Sequence, residues 1–155
     1  NLKKNKSYID HIPSRLIKIN KKKLFFTSSF NKIFETDIII LCLPTPLTDK
    51  LNPDLSYIKN TIINIKKYLT KGKLLILESS TYPGSTRDIL LPHLKKFNVG
   101  NNFFIGYSPE REDPNNKNYS IENIPKICSG YSDKCFFLTK ILYSKIVKKL
   151  FEYLI

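Results

Sequence analysis

Two short and almost wholly apolar runs constrain the fold more than any other feature of this sequence. They are DIIILCL at residues 37–43 and LLIL at residues 74–77. Both are too short for a typical helix, and neither alternates apolar with polar residues as a half-buried strand does. Continuous apolar strands of this length are typical of parallel sheets whose two faces are covered by helices. The sequence therefore predicts an α/β fold built on a parallel sheet.

The rest of the chain supplies the alternation of strands and helices that such a sheet needs. Residues 54–68 carry apolar side chains at helical spacing, and Gly72 follows this predicted helix. Further strands are predicted at residues 23–27 and 102–107. Further helices are predicted at residues 15–19, 29–35, 85–97 and 132–151. With 155 residues the chain has the usual size of one domain.

Polar loops follow three of the predicted strands directly. They are Pro44-Thr45-Pro46, residues 78–83 and residues 108–113. Taken singly, they have simple structural readings: a strand terminator, a helix N-cap and solvated loop charges. Taken together, they begin at the carboxyl ends of parallel strands, the edge at which open α/β sheets bind ligands. The three loops therefore predict a binding site at one edge of the sheet.

Charge and cysteine content narrow the classes of function. The chain carries 26 basic and 13 acidic residues, but only three of the basic residues are arginines and the lysines are spread along the whole chain. Arginine is favoured for phosphate and base recognition, so we expect a basic surface and no nucleic-acid partner. Three widely spaced cysteines and two histidines predict neither a disulfide framework nor a metal site. We expect Cys42 to lie in the core of its strand and the other two cysteines to be structural.

A complete dinucleotide-binding fold opens with a strand, a Gly-rich turn and a helix. This sequence holds only five glycines and no Gly-x-Gly-x-x-Gly pattern. We therefore expect a sheet that lacks its first strand and its Gly-rich turn. No apolar run approaches the length of a membrane span, so we expect no contact with a membrane and a cytoplasmic location.

Five stretches in matching order and spacing together resemble the UDP-glucose/GDP-mannose dehydrogenase family, in particular its UDP-N-acetylhexosamine 6-dehydrogenase branch. They are SYIDHIP at 7–13, CLPTPLTDKLNPDLSYI at 42–58, LLILESSTYPGST at 74–86, SPEREDPNN at 108–116 and IPKICSG at 124–130. The resemblance implies a Rossmann-like, mostly parallel and doubly wound sheet. It further implies that residues 1–155 are a partial N-terminal NAD-binding domain, with the central helix and the C-terminal UDP-binding domain lying outside this sequence.

The activity that the resemblance implies is the NAD-dependent oxidation of a UDP-N-acetylhexosamine at C6 to the uronic acid, for polysaccharide synthesis. The substrate would be a UDP-sugar, and the full-length form a homo-oligomer. The family's catalytic cysteine motif and Gly-rich turn are both missing from this sequence, so we expect the chain to be inactive alone. Two alternatives stay open: a non-catalytic relic or interaction module on the same fold, and a basic nucleic-acid-binding domain.

The resemblance also carries functional roles onto individual residues. The positions that would line or contact NAD are Leu43, Pro44, Thr45, Pro46, Ser80 and Thr81. Thr81 would in addition help to hold the catalytic water. Glu110 would transfer protons and assist thioester hydrolysis, and together with Arg111 it would contact the substrate. The sequence departs from the family at Asn115, where relatives commonly have glycine after Asp-Pro.

Overall fold

The computed structural model describes residues 2–9, 12–110 and 124–154. Arg111 and Asn115, which the resemblance singles out, lie outside the described residues. The chain divides into two compact units, Asn1–Lys32 and Ile33–Ile155. The apolar runs at residues 37–43 and 74–77 belong to the second unit.

The first unit is built from short helical segments. Helix α1 spans Ser14–Ile19, directly behind Pro13, and agrees with the helix predicted at 15–19. Short 3-10 helices cover Leu2–Lys4 and Lys21–Lys23. The strand predicted at residues 23–27 is wrong, because Lys23 closes a 3-10 helix and residues 24–27 have no strand partner among the described residues. The backbone of Leu24 is extended, but Phe25 is 74% exposed, so the apolar residues 24–26 are not buried in a sheet.

The second unit contains a five-stranded sheet in the order β1-β2-β3-β4-β5. The strands are β1 Ile38–Leu41, β2 Leu74–Leu77, β3 Phe104–Tyr107, β4 Lys126–Gly130 and β5 Leu150–Leu154. Strands β1, β2 and β3 are mutually parallel, β4 runs antiparallel to β3, and β5 is parallel to β4. The predicted mostly parallel, Rossmann-like α/β sheet is thereby confirmed.

Helices cover the two faces of this sheet. Helix α2 (Ser56–Ile65) packs its buried isoleucines against one face, together with the helical turns Thr86–Leu90 and Leu91–His93. Helix α3 (Asp133–Ser144) covers the opposite face, where Tyr143 contacts the core of β2 and β4. All four side chains of β2 are buried, as expected for an interior strand of a doubly covered sheet.

The predicted closing helix over residues 132–151 is wrong in its second half. Helix α3 ends at Ser144, and the chain returns to the sheet as β5, pairing Leu150 with Lys126 of β4. The apolar residues after Ser144 keep helical spacing, but their pairing with a strand some twenty residues earlier in the chain overrides it. Strand β4, which local patterns did not predict, is the partner that makes this possible.

Helix α3 approaches the sheet at two glycines. A Cβ atom at Gly130 would lie 2.1 Å from the backbone nitrogen of Phe136 in α3. A Cβ atom at Gly106 of β3 would lie 2.2 Å from the Thr139 hydroxyl oxygen. Real Cβ atoms do not come this close to other atoms, so the absence of side chains at both positions permits the tight packing of helix on sheet.

Candidate active site at the carboxyl edge of the sheet

The three parallel strands end level with one another. Leu41 of β1 is in register with Leu77 of β2, which is in register with Tyr107 of β3. The loops that follow therefore begin side by side at the carboxyl edge, as the sequence predicts. In doubly wound sheets this edge is the common position of ligand sites.

The Pro-Thr-Pro loop and the Ser-Ser-Thr loop are held together by side-chain hydrogen bonds. The Thr45 hydroxyl donates to the Ser80 carbonyl oxygen at 2.8 Å. The Ser79 hydroxyl donates to the Leu43 carbonyl oxygen at 2.8 Å and accepts the Leu43 N–H at 3.0 Å. Sequence reasoning did not single out Ser79, which is buried and fixes the two loops against each other. Pro44 and Pro46 flank Thr45 and are exposed.

Thr81 lies at the far end of the second loop. Its hydroxyl forms a 2.6 Å hydrogen bond with the hydroxyl of Ser85, just before the helical turn Thr86–Leu90. Gly84 has a φ of +91°, which allows the sharp turn into that helical segment. A cavity of about 410 Å³ adjoins the loop, between residues 81–86 and the side chains of Tyr107, Ile127 and Ser129 on the sheet.

A group of charged side chains occupies the same edge. The Lys126 ammonium lies 2.6 Å from Glu78 Oε1 and 3.6 Å from Glu110 Oε2. The Tyr143 hydroxyl donates to the second carboxylate oxygen of Glu78. The side chains of Glu78 and Lys126 are each only 12% exposed, whereas that of Glu110 is 43% exposed. Burial, and next the hydrogen bond to Glu78, raise the pKa of Tyr143 well above its usual range.

Of this group the sequence predicts a role only for Glu110. Glu78, Lys126 and Tyr143 were missed because their partners lie 48 and 65 residues away along the chain. One signal was available: Glu78 directly follows a wholly buried strand, where a carboxylate needs a partner.

Cys42 does not lie in the core, contrary to the prediction. Strand β1 ends at Leu41, and Cys42 is exposed at the carboxyl edge. Partial burial of the thiol raises its pKa, and the nearby carboxylates of Glu78 and Glu110 add to the effect. Cys128 and Cys135 are buried, as expected of structural cysteines.

Among residues 2–9, 12–110 and 124–154, no group of three or more histidine, cysteine, aspartate or glutamate side chains is arranged to hold a metal ion. In the same residues no helix is both long and apolar enough to cross a membrane.

Comparisons with known proteins agree with this geometry. The NAD-binding domain of the UDP-glucose/GDP-mannose dehydrogenase family matches residues 1–154. The chain is 34% identical over 128 residues to UDP-N-acetyl-D-glucosamine 6-dehydrogenase of Pseudomonas aeruginosa, covering 81% of this chain and 30% of that protein. It is 32% identical over 133 residues to the protein CapL of Staphylococcus aureus, covering 84% of this chain and 31% of that protein.

Among solved structures, UDP-D-ManNAc dehydrogenase from Pyrococcus horikoshii superimposes with a TM-score of 0.84 at 30% identity, covering 97% of this chain and 38% of that one. The chain thus spans about three tenths of the length of the curated relatives named above. The match along almost the whole chain and the shared fold lead to one conclusion. The chain belongs to the UDP-glucose/GDP-mannose dehydrogenase family and corresponds to its NAD-binding domain.

Proposed function

We propose that this chain is the NAD-binding part of a dehydrogenase that oxidises C6 of a UDP-N-acetylhexosamine to the uronic acid. The observation that carries the proposal is the hydrogen bond that joins the Thr45 and Ser80 loops at the carboxyl edge, the edge at which Glu110 pairs with Lys126. Relatives at 31–34% identity are a UDP-N-acetyl-D-glucosamine 6-dehydrogenase and a UDP-N-acetyl-D-mannosamine dehydrogenase, which supports the substrate class.

The donor groups of the two loops fit a dinucleotide. Residues 43–46 and 79–81 offer hydroxyl and main-chain groups, and the carboxylate of the neighbouring Glu78 is paired with Lys126. The residues that we assign to holding NAD are Leu43, Pro44, Thr45, Pro46, Ser80 and Thr81. When bound, NAD supplies the acceptor for the hydride that leaves C6.

Glu110 is the residue we assign to proton transfer. Its carboxylate is 43% exposed, so a substrate hydroxyl or a water molecule can reach it. Oxidation of an alcohol releases a proton as well as a hydride, and this carboxylate accepts the proton. Thr81 helps to hold the water needed for the later hydrolysis, and Arg111 contacts the substrate together with Glu110.

Calorimetric titration of the 155-residue chain with NAD tests the cofactor assignment. We expect saturable binding and a matching rise in the melting temperature. Thr45→Val removes the hydrogen bond to Ser80 and is expected to weaken NAD binding by about fivefold, the effect of one lost hydrogen bond. Thr70→Val, at an exposed position before the amino end of β2, is the matched control and should bind as wild type does. A cooperatively folded wild-type chain that binds no NAD would contradict the assignment.

Glu110→Gln tests the catalytic assignment in any preparation that reduces NAD with UDP-N-acetylglucosamine or UDP-N-acetylmannosamine. Turnover should fall by about 100-fold or more, the usual range for a lost general base, while NAD affinity stays within a few-fold. An equal loss of NAD affinity would refute the role given to Glu110.

Several expectations from the sequence remain predictions. They are that the chain is a partial domain completed by a central helix and a UDP-binding domain, that it is inactive alone, and that the complete enzyme is a cytoplasmic homo-oligomer.

A further inference from the structure

The Lys126 side chain lies between two carboxylates because of the direction of β4. Strand β4 runs antiparallel to β3, so its first residue is at the edge where β1, β2 and β3 end. The register pairs Gly106 with Gly130 and Tyr107 with Ser129. Continued past the last paired residues, the same register brings Glu110 opposite Lys126, in agreement with the 3.6 Å between their charged atoms. The register of the two strands and the ion contact therefore agree in placing these two side chains opposite each other.

The inner end of this arrangement is fixed by Glu78. The Glu78 carboxylate contacts Lys126 through one oxygen at 2.6 Å and accepts a hydrogen bond from Tyr143 through the other. The Tyr143 residue is only 2% exposed, and the Lys126 ammonium also lies 5.3 Å from the centre of its ring. A buried ion pair is well held only when further hydrogen bonds satisfy its charged atoms, and Tyr143 supplies one of them. The position of the ammonium is thus determined from the protein interior.

The outer end faces the candidate active site. Glu110 lies at the surface side of Lys126. The pKa of Cys42, directly after β1, is raised first by burial and then by Glu78 and Glu110, and is lowered by Lys126. Within the part of the chain that the structure describes, the charged and titratable groups that face Lys126 are Glu78 after β2, Glu110 after β3, Tyr143 of α3 and Cys42 after β1. Two carboxylates therefore share the Lys126 ammonium at the position where a proton must be taken up.

We propose that Lys126, anchored by Glu78, is a positioning residue that holds the Glu110 carboxylate in place and favours its ionised form. Its importance for catalysis rests on the proposed function, in which Glu110 takes up a proton. The pairing with Lys126 keeps this carboxylate ready as a base at the carboxyl edge of the sheet. Glu78 is the residue that anchors the lysine from the interior side.

Carbon-13 NMR titration of the glutamate carboxyl groups, in the full chain without NAD, tests the proposal. The chain has six glutamates, and the resonance missing from Glu110→Gln identifies that of Glu110. In Lys126→Met the Glu110 titration midpoint should rise by about 0.5 pH unit or more, because an opposite charge close to a carboxylate has been removed. In Lys126→Arg the midpoint should return most of the way to the wild-type value. Lys140→Met removes the lysine of an exposed ion pair and should leave it unchanged.

Two further variants keep the test decisive if Lys126→Met fails to fold. The double variant Glu78→Gln/Lys126→Met leaves no unpaired charge inside, and its Glu110 midpoint should rise as well, by a smaller amount. Glu110→Gln, a change at a partly exposed side chain, should alter the nitrogen-15 resonance of the Lys126 ammonium. A Glu110 midpoint that stays at the wild-type value in the folded variants, or an unaltered Lys126 resonance, would overturn the proposal. Failure of the wild-type chain to bind NAD would refute the proposed function but would leave these titrations as they are.

Discussion

Two lysine–glutamate pairs in this molecule have the same nitrogen-to-oxygen distance and different surroundings. Glu78–Lys126 and Lys140–Glu152 each have a nitrogen-to-oxygen distance of 2.6 Å. The side chains of the first pair are each 12% exposed, whereas those of the second are 43% and 48% exposed. The first joins β2 to β4 at the candidate active site, and the second joins α3 to β5 at the surface. Distance alone does not reveal the contribution of an ion pair, because desolvation and solvent screening decide it.

The largest difference is expected when the lysine of each pair is replaced. Lys126→Met leaves the Glu78 carboxylate without its counter-ion in a nearly buried position, and should lower the free energy of unfolding by about 3 kcal/mol. Lys140→Met should lower it by less than about 1 kcal/mol. Urea denaturation followed by circular dichroism measures both. Equal losses in the two variants would show that the surroundings of the pairs do not differ in the way described.

A smaller loss is expected from Tyr143→Phe, which removes the hydroxyl that donates to Glu78. A lost hydrogen bond to a charged group should cost about 2 kcal/mol at neutral pH. The folded-state pKa of Tyr143 is raised, first by burial and then by Glu78, so the unfolded chain ionises this tyrosine at a lower pH than the folded chain does. Wild-type stability should therefore fall as the pH rises past about 10, the ordinary value of tyrosine.

The same pH dependence distinguishes the variant from the wild type. Tyr143→Phe should lose less stability between neutral and alkaline pH, because the group responsible has been removed. Denaturation series at several pH values measure this. A parallel decline in both proteins would contradict the role of Tyr143 in the buried pair.

A third variant examines whether the buried pair is stabilising as a whole. Glu78→Gln/Lys126→Met removes both charges and leaves an amide that can still accept from Tyr143. Replacing a whole buried pair is often close to neutral, so we expect a loss of only about 1 kcal/mol. A double-mutant cycle built from the two single variants then gives the coupling between the charges. A double variant as unstable as Lys126→Met alone would mean that the lysine acts through contacts other than its charge.

The smallest effect concerns Cys42, whose thiol lies near the buried pair but not near the surface pair. Its pKa is raised by partial burial, then by Glu78 and Glu110, and is lowered by Lys126. Alkylation at neutral pH should therefore be slower than for an unperturbed thiol, and slower still in Lys126→Met, because only the thiolate reacts. Lys140→Met should react at the wild-type rate. Mass spectrometry of the labelled peptide separates Cys42 from the buried Cys128 and Cys135.

Local sequence patterns predicted those parts of the fold that depend on neighbouring residues. The run at residues 74–77 is a strand buried on both faces, and the helical spacing after Asn52-Pro53 gives α2. The patterns failed where distant pairing decides the structure. Strand β4 mixes polar and apolar residues, and β5 follows a helix without an intervening glycine or proline. At residues 24–26 the apolar pattern predicts a strand, but no described strand pairs with these residues and no strand forms.

In the candidate site, too, residues placed by their local sequence could be predicted, whereas residues brought in by distant elements could not. Thr45, Ser80, Thr81 and Glu110 could be singled out because they lie in loops directly after apolar strands. Their role assignments came from the family resemblance, and no pattern of apolar and polar residues could supply them. Lys126 and Tyr143 could not be found from the sequence, because an antiparallel strand and a helix on the opposite face bring them to Glu78.

The close approach of α3 to Gly106 and Gly130 fixes the position of the helix on the sheet, and with it the position of Tyr143 at the carboxyl edge. Gly130 contacts the first turn of the helix, and Tyr143 lies near its last turn, roughly 12 Å further along the axis at 1.5 Å per residue. Because a helix is rigid, tight packing of its first turns against the sheet also determines where its last turn lies. The position at which the tyrosine hydroxyl meets Glu78 therefore depends on the missing side chains of Gly106 and Gly130, which face the middle and the first turn of α3. The methyl group of an alanine at position 130 would push α3 away from the sheet and so displace the Tyr143 hydroxyl, which it does not contact.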